Sequence, residues 1–468
     1  MTAGLGNASP ASIRTEIQGG IAIFLAIAYI VVIEPAVLSG QAVGMTTGIP
    51  AGAAFTATCL AAAVSCFLMG AIGRLPIAAA PYMGENFFFV TALIPAAAAA
   101  GYPEPWRAAL ATTLLAATLL LVVSATGLRR LLAGGIPSSL VHAIGAGIGL
   151  FITFLGLKAA GVVVADPANG VGFTRHPLSP DLLVALAGLV TTVALHARGV
   201  RSAVIAGIAL TFALGAGTRM LLPHLPAAIA DSTAVTASRT LGSLHWPATI
   251  VSMPPSPAPL LLGLDWTALV DARLLPGALV LFLMILFDAT GTLLAVLGVL
   301  APAEGQEPGT SDPRFRRGLL ADALGSVAAP LLGTSAVGAY MESTVAGPIG
   351  ARRGLSAMVV GVLFLLAMPL APLVASFGSY PPATAPALIL VGALLAGGVR
   401  RIPWDDATEA VPALATVAGI PLTFSIAHGI AFGFVLWPLM KAAAGRRREV
   451  RSVAWILGIL AAASLVLQ

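Results

Sequence analysis

Charge is what this sequence has least of: Asp, Glu, Lys and Arg make up 9% of its 468 residues, against about a quarter in an ordinary soluble domain. That scarcity excludes a water-soluble globule. The 58% hydrophobic share excludes a disordered chain as well, because disorder needs few apolar and many charged residues. Cysteine is nearly missing. Cys59 and Cys66 stand seven apart in one apolar run, on one helical face and too distant to bridge, so both read as inert packing residues. Metal-ligand spacing, a phosphate-cradling glycine loop beside a lysine and a nucleophile elbow are also lacking. The chain therefore has no chemistry for an enzyme to use, and no cofactor is expected. The first apolar run, Ile17 to Ile33, passes into Glu34-Pro35 without a small-residue cleavage site, so no cleavable signal is expected.

What is abundant is apolar length, with a mean hydropathy of +0.98. A hydrocarbon core of about 30 Å takes roughly 20 apolar residues per helix. Spans are predicted at 17–38, 51–72, 84–99, 108–127, 138–160, 181–197 and 201–222. A second set follows at 272–300, 316–332, 340–350, 354–376, 384–398, 406–422 and 424–443. That is an all-α polytopic membrane protein with fourteen transmembrane segments, seven plus seven. Residues 223–270 read as a long Pro-rich loop with no room for a core, and the last run, Val453 to Leu467, finds no place in this scheme.

The excess of 24 Lys+Arg over 19 Asp+Glu would suggest nucleic acid in a soluble protein. Here the cations cluster between apolar runs, which points to the lipid bilayer and not to nucleic acid. With the N-terminus inside, seventeen arginines, among them Arg74, Arg129, Arg130, Arg316, Arg317 and Arg447, fall on the cytoplasmic side, against six cations such as Arg107, Lys158 and Arg239 outside. That asymmetry predicts a multi-pass protein of the cell inner (plasma) membrane with a cytoplasmic N-terminus.

Two spans are too short and irregular for plain helices: Ala80-Pro81-Tyr82-Met83-Gly84-Glu85-Asn86-Phe87 and Gly338-Ala339-Tyr340-Met341-Glu342-Ser343-Thr344. Each carries a Tyr-Met pair and then an acid, one in each half of the chain. Broken segments at corresponding positions of two halves point to a transporter's binding site. Five acids sit where hydrocarbon should be: Glu34, Glu85, Asp288, Asp322 and Glu342. An ionisable group at that depth costs several kcal/mol and persists where it meets a cavity, a partner or an ion. Asp288 lies mid-run and Glu342 in the second break, so these two are the leading candidates. Capping of a half-helix competes for Glu85 and Glu342; Glu34 and Asp322 read as interfacial, and His142 and His428 as packing residues.

At these same residues the sequence resembles the nucleobase:cation symporter-2 family, in its AzgA-like branch of adenine, guanine and hypoxanthine permeases. The resemblance runs nearly the whole chain, through FLAIAYIVVIEP (Phe24 to Pro35), APYMGENFFF (Ala80 to Phe89), LFDATGTLLAV (Leu286 to Val296) and ADALGSVAAPLLGTSAVGAYMEST (Ala321 to Thr344). It implies two inverted seven-helix repeats with short strands in segments 3 and 10. It also implies a core domain in two parts, 1–135 and 272–380, and a gate domain in two parts, 136–222 and 381–468, with 223–271 as an extracytoplasmic loop. The base is expected between segments 3, 8 and 10, with Thr292, Tyr340 and Met341 beside Asp288 and Glu342. Pairing of two copies through the gate is also implied. The sequence departs from the branch at Glu85, usually apolar, Tyr82, usually Gly, Glu34, usually Asn, and His428, usually Asp.

A purine offers N–H donors along one edge and a flat face. A carboxylate accepts two such donors side by side in charge-assisted bonds, which makes Glu342 the expected clamp. Tyr82, Phe87, Phe88 and Tyr340 are expected as walls, and the half-helix amides of Gly84 to Asn86 and of Glu342 to Thr344, Ser343 included, as donors to the base. Stripping a carboxyl of water favours its neutral form, so Asp288, with Glu342, is expected to couple H⁺ to elevator-like uptake. The alternatives are another solute in this architecture, such as xanthine, urate, a pyrimidine or an anion, or a passive channel.

Overall fold

The computed structural model describes residues 12–126, 137–166, 170–224, 226, 233–236, 238, 241–300 and 312–466. Arg129, Arg130 and Arg239 of the charge-asymmetry reading, the 135/136 domain boundary, parts of the 223–271 loop and Leu467 of the last apolar run lie outside those residues. The elements in chain order are α1 (Ile13–Ile27), α2 (Ile30–Leu38), α3 (Ala51–Gly73), β1 (Ala79–Pro81), α4 (Met83–Ala99), α5 (Pro105–Thr126) and α6 (Ser138–Ala159). A hairpin of β2 (Val163–Asp166) and β3 (Gly170–Phe173) leads to α7 (Pro180–Ala197) and α8 (Ala203–His224). Then come α9 (Leu275–Leu300), α10 (Pro313–Leu332), β4 (Val337–Ala339), a 3₁₀ turn (Met341–Val345) and α11 (Ala346–Ile349). The chain ends with α12 (Leu355–Ser379), α13 (Pro381–Arg401), α14 (Ala407–Thr423), α15 (Ile426–Ala443) and α16 (Ser452–Val466).

Among the described residues nine of these helices are long and apolar enough to cross a membrane, and the bent pair α1–α2 makes up to ten. The pair replaces the straight span expected at 17–38: the two helices meet at 40°. At the break the Val31 and Val32 amides donate to the Ala28 and Tyr29 carbonyls in a tighter turn, at 3.2 and 3.1 Å. The last apolar run, without a place in the sequence scheme, forms α16 and packs on α15.

The helices sort by contact into two bundles. In one, α3 packs on α10 and α12, α5 on α9 and α10, and α1 on α12; in the other, α6 packs on α13 and α14, α7 on α8 and α13, and α14 on α15. Small residues permit the closest approaches, as on other membrane helices. At the α6–α13 crossing a Cβ on Gly149 would stand 2.5 Å from the Gly392 carbonyl oxygen. The stretch after α8 is less of a free loop than its composition suggests: Leu244, Leu260, Leu264 and Ala268 are buried, and the Thr56 hydroxyl donates to the Pro255 carbonyl at 2.7 Å.

β1 and β4 form a two-stranded antiparallel ribbon with Ala80 opposite Gly338, and every residue of both strands is buried. A ribbon without water must find partners for its outer edges. The Cys66 thiol on α3 donates to the Ala79 carbonyl at 3.2 Å and accepts from the Ala79 amide at 3.3 Å, so this cysteine does more than pack. On the β4 side the Ser326 hydroxyl donates to the Val337 carbonyl, and Asp322 Oδ1 accepts from the Ala339 amide at 2.6 Å. The Ser343 hydroxyl accepts from the Ala78 amide at 3.0 Å. Gly338 is required by its neighbour, since a Cβ there would fall 2.0 Å from the Tyr82 ring.

Candidate substrate cavity

Both strands end near the centre of the molecule, and the chain then turns into α4 on one side and the 3₁₀ turn on the other. Between these turns, α9 and the faces of α6, α13 and α15 lies a cavity of about 570 Å³. Eight of the residues expected from sequence line it: Tyr82, Gly84, Glu85, Asp288, Thr292, Tyr340, Met341 and Glu342. Asp288, at the middle of α9, is exposed and presents its side chain to the open space of the cavity. The rest of the wall is mostly apolar and comes from both bundles, with Ile144 and Ile148 of α6, Leu394 and Leu395 of α13, and Ile430 and Phe434 of α15. Among the described lining residues none is Lys, Arg or His.

Four expected residues do not line the cavity. Asn86 is fully buried and donates through its side-chain amide to Glu34 Oε2, while its Oδ1 accepts from the Ser335 hydroxyl. Ser343 is occupied with the Ala78 amide. Phe87 turns away from the hollow and meets Phe151 edge to face at 6.2 Å, and Phe88 is also wholly buried. The reason is helical geometry: residues next to Gly84 and Glu85 on α4 point to other faces of the same turn. The amides of Asn86 and Ser343 already donate within their turns, to the Tyr82 carbonyl at 3.0 Å and the Tyr340 carbonyl at 3.1 Å.

The acids read as interfacial are not interfacial. Glu34 is enclosed, holding Asn86 and, at 3.3 Å, the Thr334 hydroxyl. Asp322 is enclosed behind the ribbon. Composition hides both partnerships, because the partners are 52, 300 and 17 residues away. Tyr29 carries no signal in the sequence: it lies in the break between α1 and α2, and its hydroxyl donates to Glu342 Oε1 at 3.4 Å.

Glu342 is thus partnered by a hydroxyl, whereas Glu85 has only another carboxyl, that of Asp288, beside it. Both Glu85 oxygens are enclosed and meet no hydrogen-bonding group in good geometry, as are the Tyr82 hydroxyl and Asp322 Oδ2. The Asp288 carboxyl is within hydrogen-bonding reach of Glu85.

A scaffold of span-length apolar helices with an acid-bearing hollow at a pair of broken segments defines a multi-pass membrane permease. The chain matches the model of the Permease family over residues 14–456, and it belongs to that family, the nucleobase:cation symporter-2 family. It is 37% identical over 455 residues to the guanine/hypoxanthine permease PbuG of Bacillus subtilis, covering 96% of this chain and 95% of that one. To the adenine permease AdeP of Escherichia coli it is 35% identical, covering 96% and 91%. Solved structures with the same fold include the transmembrane domain of the cyanobacterial bicarbonate transporter BicA, with a TM-score of 0.54 at 18% identity over 90% of this chain and 97% of that one. Murine Slc26a9, an anion transporter in an inward-facing state, gives 0.56 at 12% identity over 92% and 69%.

Proposed function

We propose that this permease takes up a purine nucleobase of the guanine, hypoxanthine or adenine type together with a proton. The observation that carries the reading is the meeting of Asp288 and Glu342, from α9 and from the turn after β4, in one largely apolar cavity. Glu342 accepts two N–H groups from one edge of the base, and Tyr82 and Tyr340 flank its face. Asp288 holds the coupling proton. A charge-assisted pair of this sort is roughly twice as strong as neutral bonds. The purine permeases among the relatives favour this solute. The bicarbonate and anion transporters that share the fold do not, because a cavity lined by acids and free of described basic residues repels an anion.

The cavity lies between the two bundles, which suits an elevator: α1 to α5 with α9 to α12 as the moving core, and α6 to α8 with α13 to α15 as the gate. Counting the bent pair as one span, and α4, α10, α11 with β4, and α14 as further segments, yields fourteen segments in two inverted sevens. The cytoplasmic N-terminus follows from the arginine asymmetry.

Uptake of labelled guanine, hypoxanthine and adenine into proteoliposomes tests the function. Accumulation above the outside concentration that collapses with a protonophore is expected; mere equilibration would make the protein a channel. Asp288→Asn is expected to abolish uphill, pH-dependent uptake. The movement is tested by a Gly84→Cys/Ile148→Cys pair across the bundle boundary, where a Cβ at 84 would stand 3.4 Å from the Ile148 side chain. Oxidation should stop uptake and reduction restore it; unimpaired uptake by the cross-linked form would rule out the sliding motion.

A further inference from the structure

We propose that Glu85, Tyr82 and Asp322 form a second proton site beside Asp288, so that each base enters with one proton more than Asp288 alone supplies. The inference rests on the proton-coupled uptake proposed above and names the groups that carry the additional ion.

The three residues come from separate elements and leave four polar atoms stranded. Glu85, in the first turn of α4, is 1% exposed, and its two oxygens have no partner other than the neighbouring Asp288 carboxyl. Tyr82, between β1 and α4, is 5% exposed and its hydroxyl is unpartnered. Asp322, on α10, uses Oδ1 for the Ala339 amide and leaves Oδ2 unpaired. They are near one another: the Tyr82 ring lies against Gly338, the next residue, Ala339, gives its amide to Asp322, and Tyr82, Glu85 and Asp288 share one cavity wall. The other titratable groups facing the set are Tyr340 beyond β4 and, behind it, Glu342, Tyr29 and Glu34. From α6 the neighbour of Gly84 is the apolar Ile148. Among the described residues that line the cavity with Tyr82 and Glu85, none is Lys, Arg or His.

A buried set of acids without a basic partner requires compensation by something that enters with a positive charge or a hydrogen-bond donor. The base does not fill that role throughout, because Asp322 is not part of the cavity wall. A metal ion is disfavoured: among the described residues no group of three or more His, Cys, Asp or Glu is arranged to hold one. A proton is small enough, and it supplies what is missing. It adds to a carboxylate oxygen, forming one O–H bond and removing one negative charge, and that O–H is a donor for the stranded oxygens. On release the O–H bond breaks and the proton leaves to water, with nothing oxidised or reduced.

Full-length protein in liposomes, loaded with a pH-sensitive dye and supplied with labelled hypoxanthine, gives protons per base. Infrared difference spectra of the base-free protein across about pH 5 to 8 report protonated carboxyl groups. Asp322→Asn keeps an acceptor for the Ala339 amide and lies outside the cavity wall, so hypoxanthine affinity at acid pH should stay within about threefold of wild type while one proton per base is lost. Glu85→Gln should lose that same proton and part of the carboxyl band. Wild-type stoichiometry and an unchanged band in both variants would overturn the proposal, as would uptake driven by sodium and indifferent to pH. The infrared measurement needs no base: a normal band shift in a protein that accumulates no purine would sink the uptake reading while leaving the titrating cluster in place, and a missing shift would sink the cluster itself.

Discussion

Acids occur in two settings in this molecule. At the end of α15 remote from the ribbon, Lys441, with a side chain 2% exposed, lies 2.8 Å from Glu409, 3.1 Å from Glu449 and 3.5 Å from Asp406. Arg446 adds bonds to Asp406 at 2.6 Å and Glu449 at 2.7 Å. Glu409 also accepts from the Ser139 hydroxyl at 2.5 Å and the Trp437 indole at 2.8 Å. At and behind the cavity, Glu85 and Asp288 have only each other, and Asp322 has a single backbone amide. The first cluster is complete as it stands and ties α6, α14 and α15 together. The second is incomplete, and the proton and base proposed above would complete it. Side-chain type is the same in both; the partners decide what the acids are for.

That contrast can be broken most severely at Lys441. Lys441→Met leaves three carboxylates around an absent cation and should cost up to about 3 kcal/mol, the low end for a broken buried pair because the carboxylates keep some water. A drop in thermal unfolding temperature in detergent, partly restored by adding Glu409→Gln, is the expected readout, and an unchanged temperature would show the cluster to be idle. Glu342→Gln removes a charged acceptor and should weaken base binding by about 1.5–3 kcal/mol, roughly ten- to a hundredfold. Equal affinity in the variant would reduce Glu342 to a partner of Tyr29. Asp322→Ala strands the Ala339 amide and should destabilise the protein by about 1–3 kcal/mol, whereas Asp322→Asn should be nearly neutral. Equal losses in the two would remove the ribbon-edge role.

Glu85→Leu works in the opposite direction. Replacing an enclosed carboxyl that has only another carboxyl beside it by an apolar group of similar size should raise the unfolding temperature of the base-free protein, by about 1 kcal/mol in stability. A loss of stability would show that Glu85 has a partner other than Asp288. The smallest effect is that of pH on the paired cluster outside the spans. The Thr408 hydroxyl and then Arg446 hold the Asp406 carboxyl below the usual carboxylate range, and Arg446 and then Lys441 do the same for Glu449. Groups depressed in the folded state contribute stability above their unfolded values of about 4 and lose it as pH falls through the lower folded values. Unfolding measured as a function of pH should be flat for this cluster above about pH 5 and decline only in stronger acid; a decline near neutrality would contradict the ion pairs.

The positions of Asp288, Glu342 and the two breaks were legible because each is an interruption: an acid in an apolar run, or a strand-like dipeptide where a helix should continue. Glu85 and Tyr82 were legible in the same way. Asn86, Phe87 and Ser343 sit beside those interruptions, and nearness along the chain says nothing about which face of a tight turn a side chain takes. Glu34 and Asp322 looked interfacial because distance from the end of an apolar run is a poor measure of depth once a helix bends or a ribbon packs against it. Tyr29 carries no local signal, since its partner Glu342 is 313 residues away.

By itself the sequence determined the solvent this chain lives in, the places where its helices stop and the few polar groups it carries into hydrocarbon, because these are set by residue composition counted over one helix length. Only the tertiary structure decided which of those polar groups satisfy one another and which are left facing a hollow. A hydrogen bond depends on angstrom-scale meetings between distant segments, and nothing local to either segment encodes the other's position.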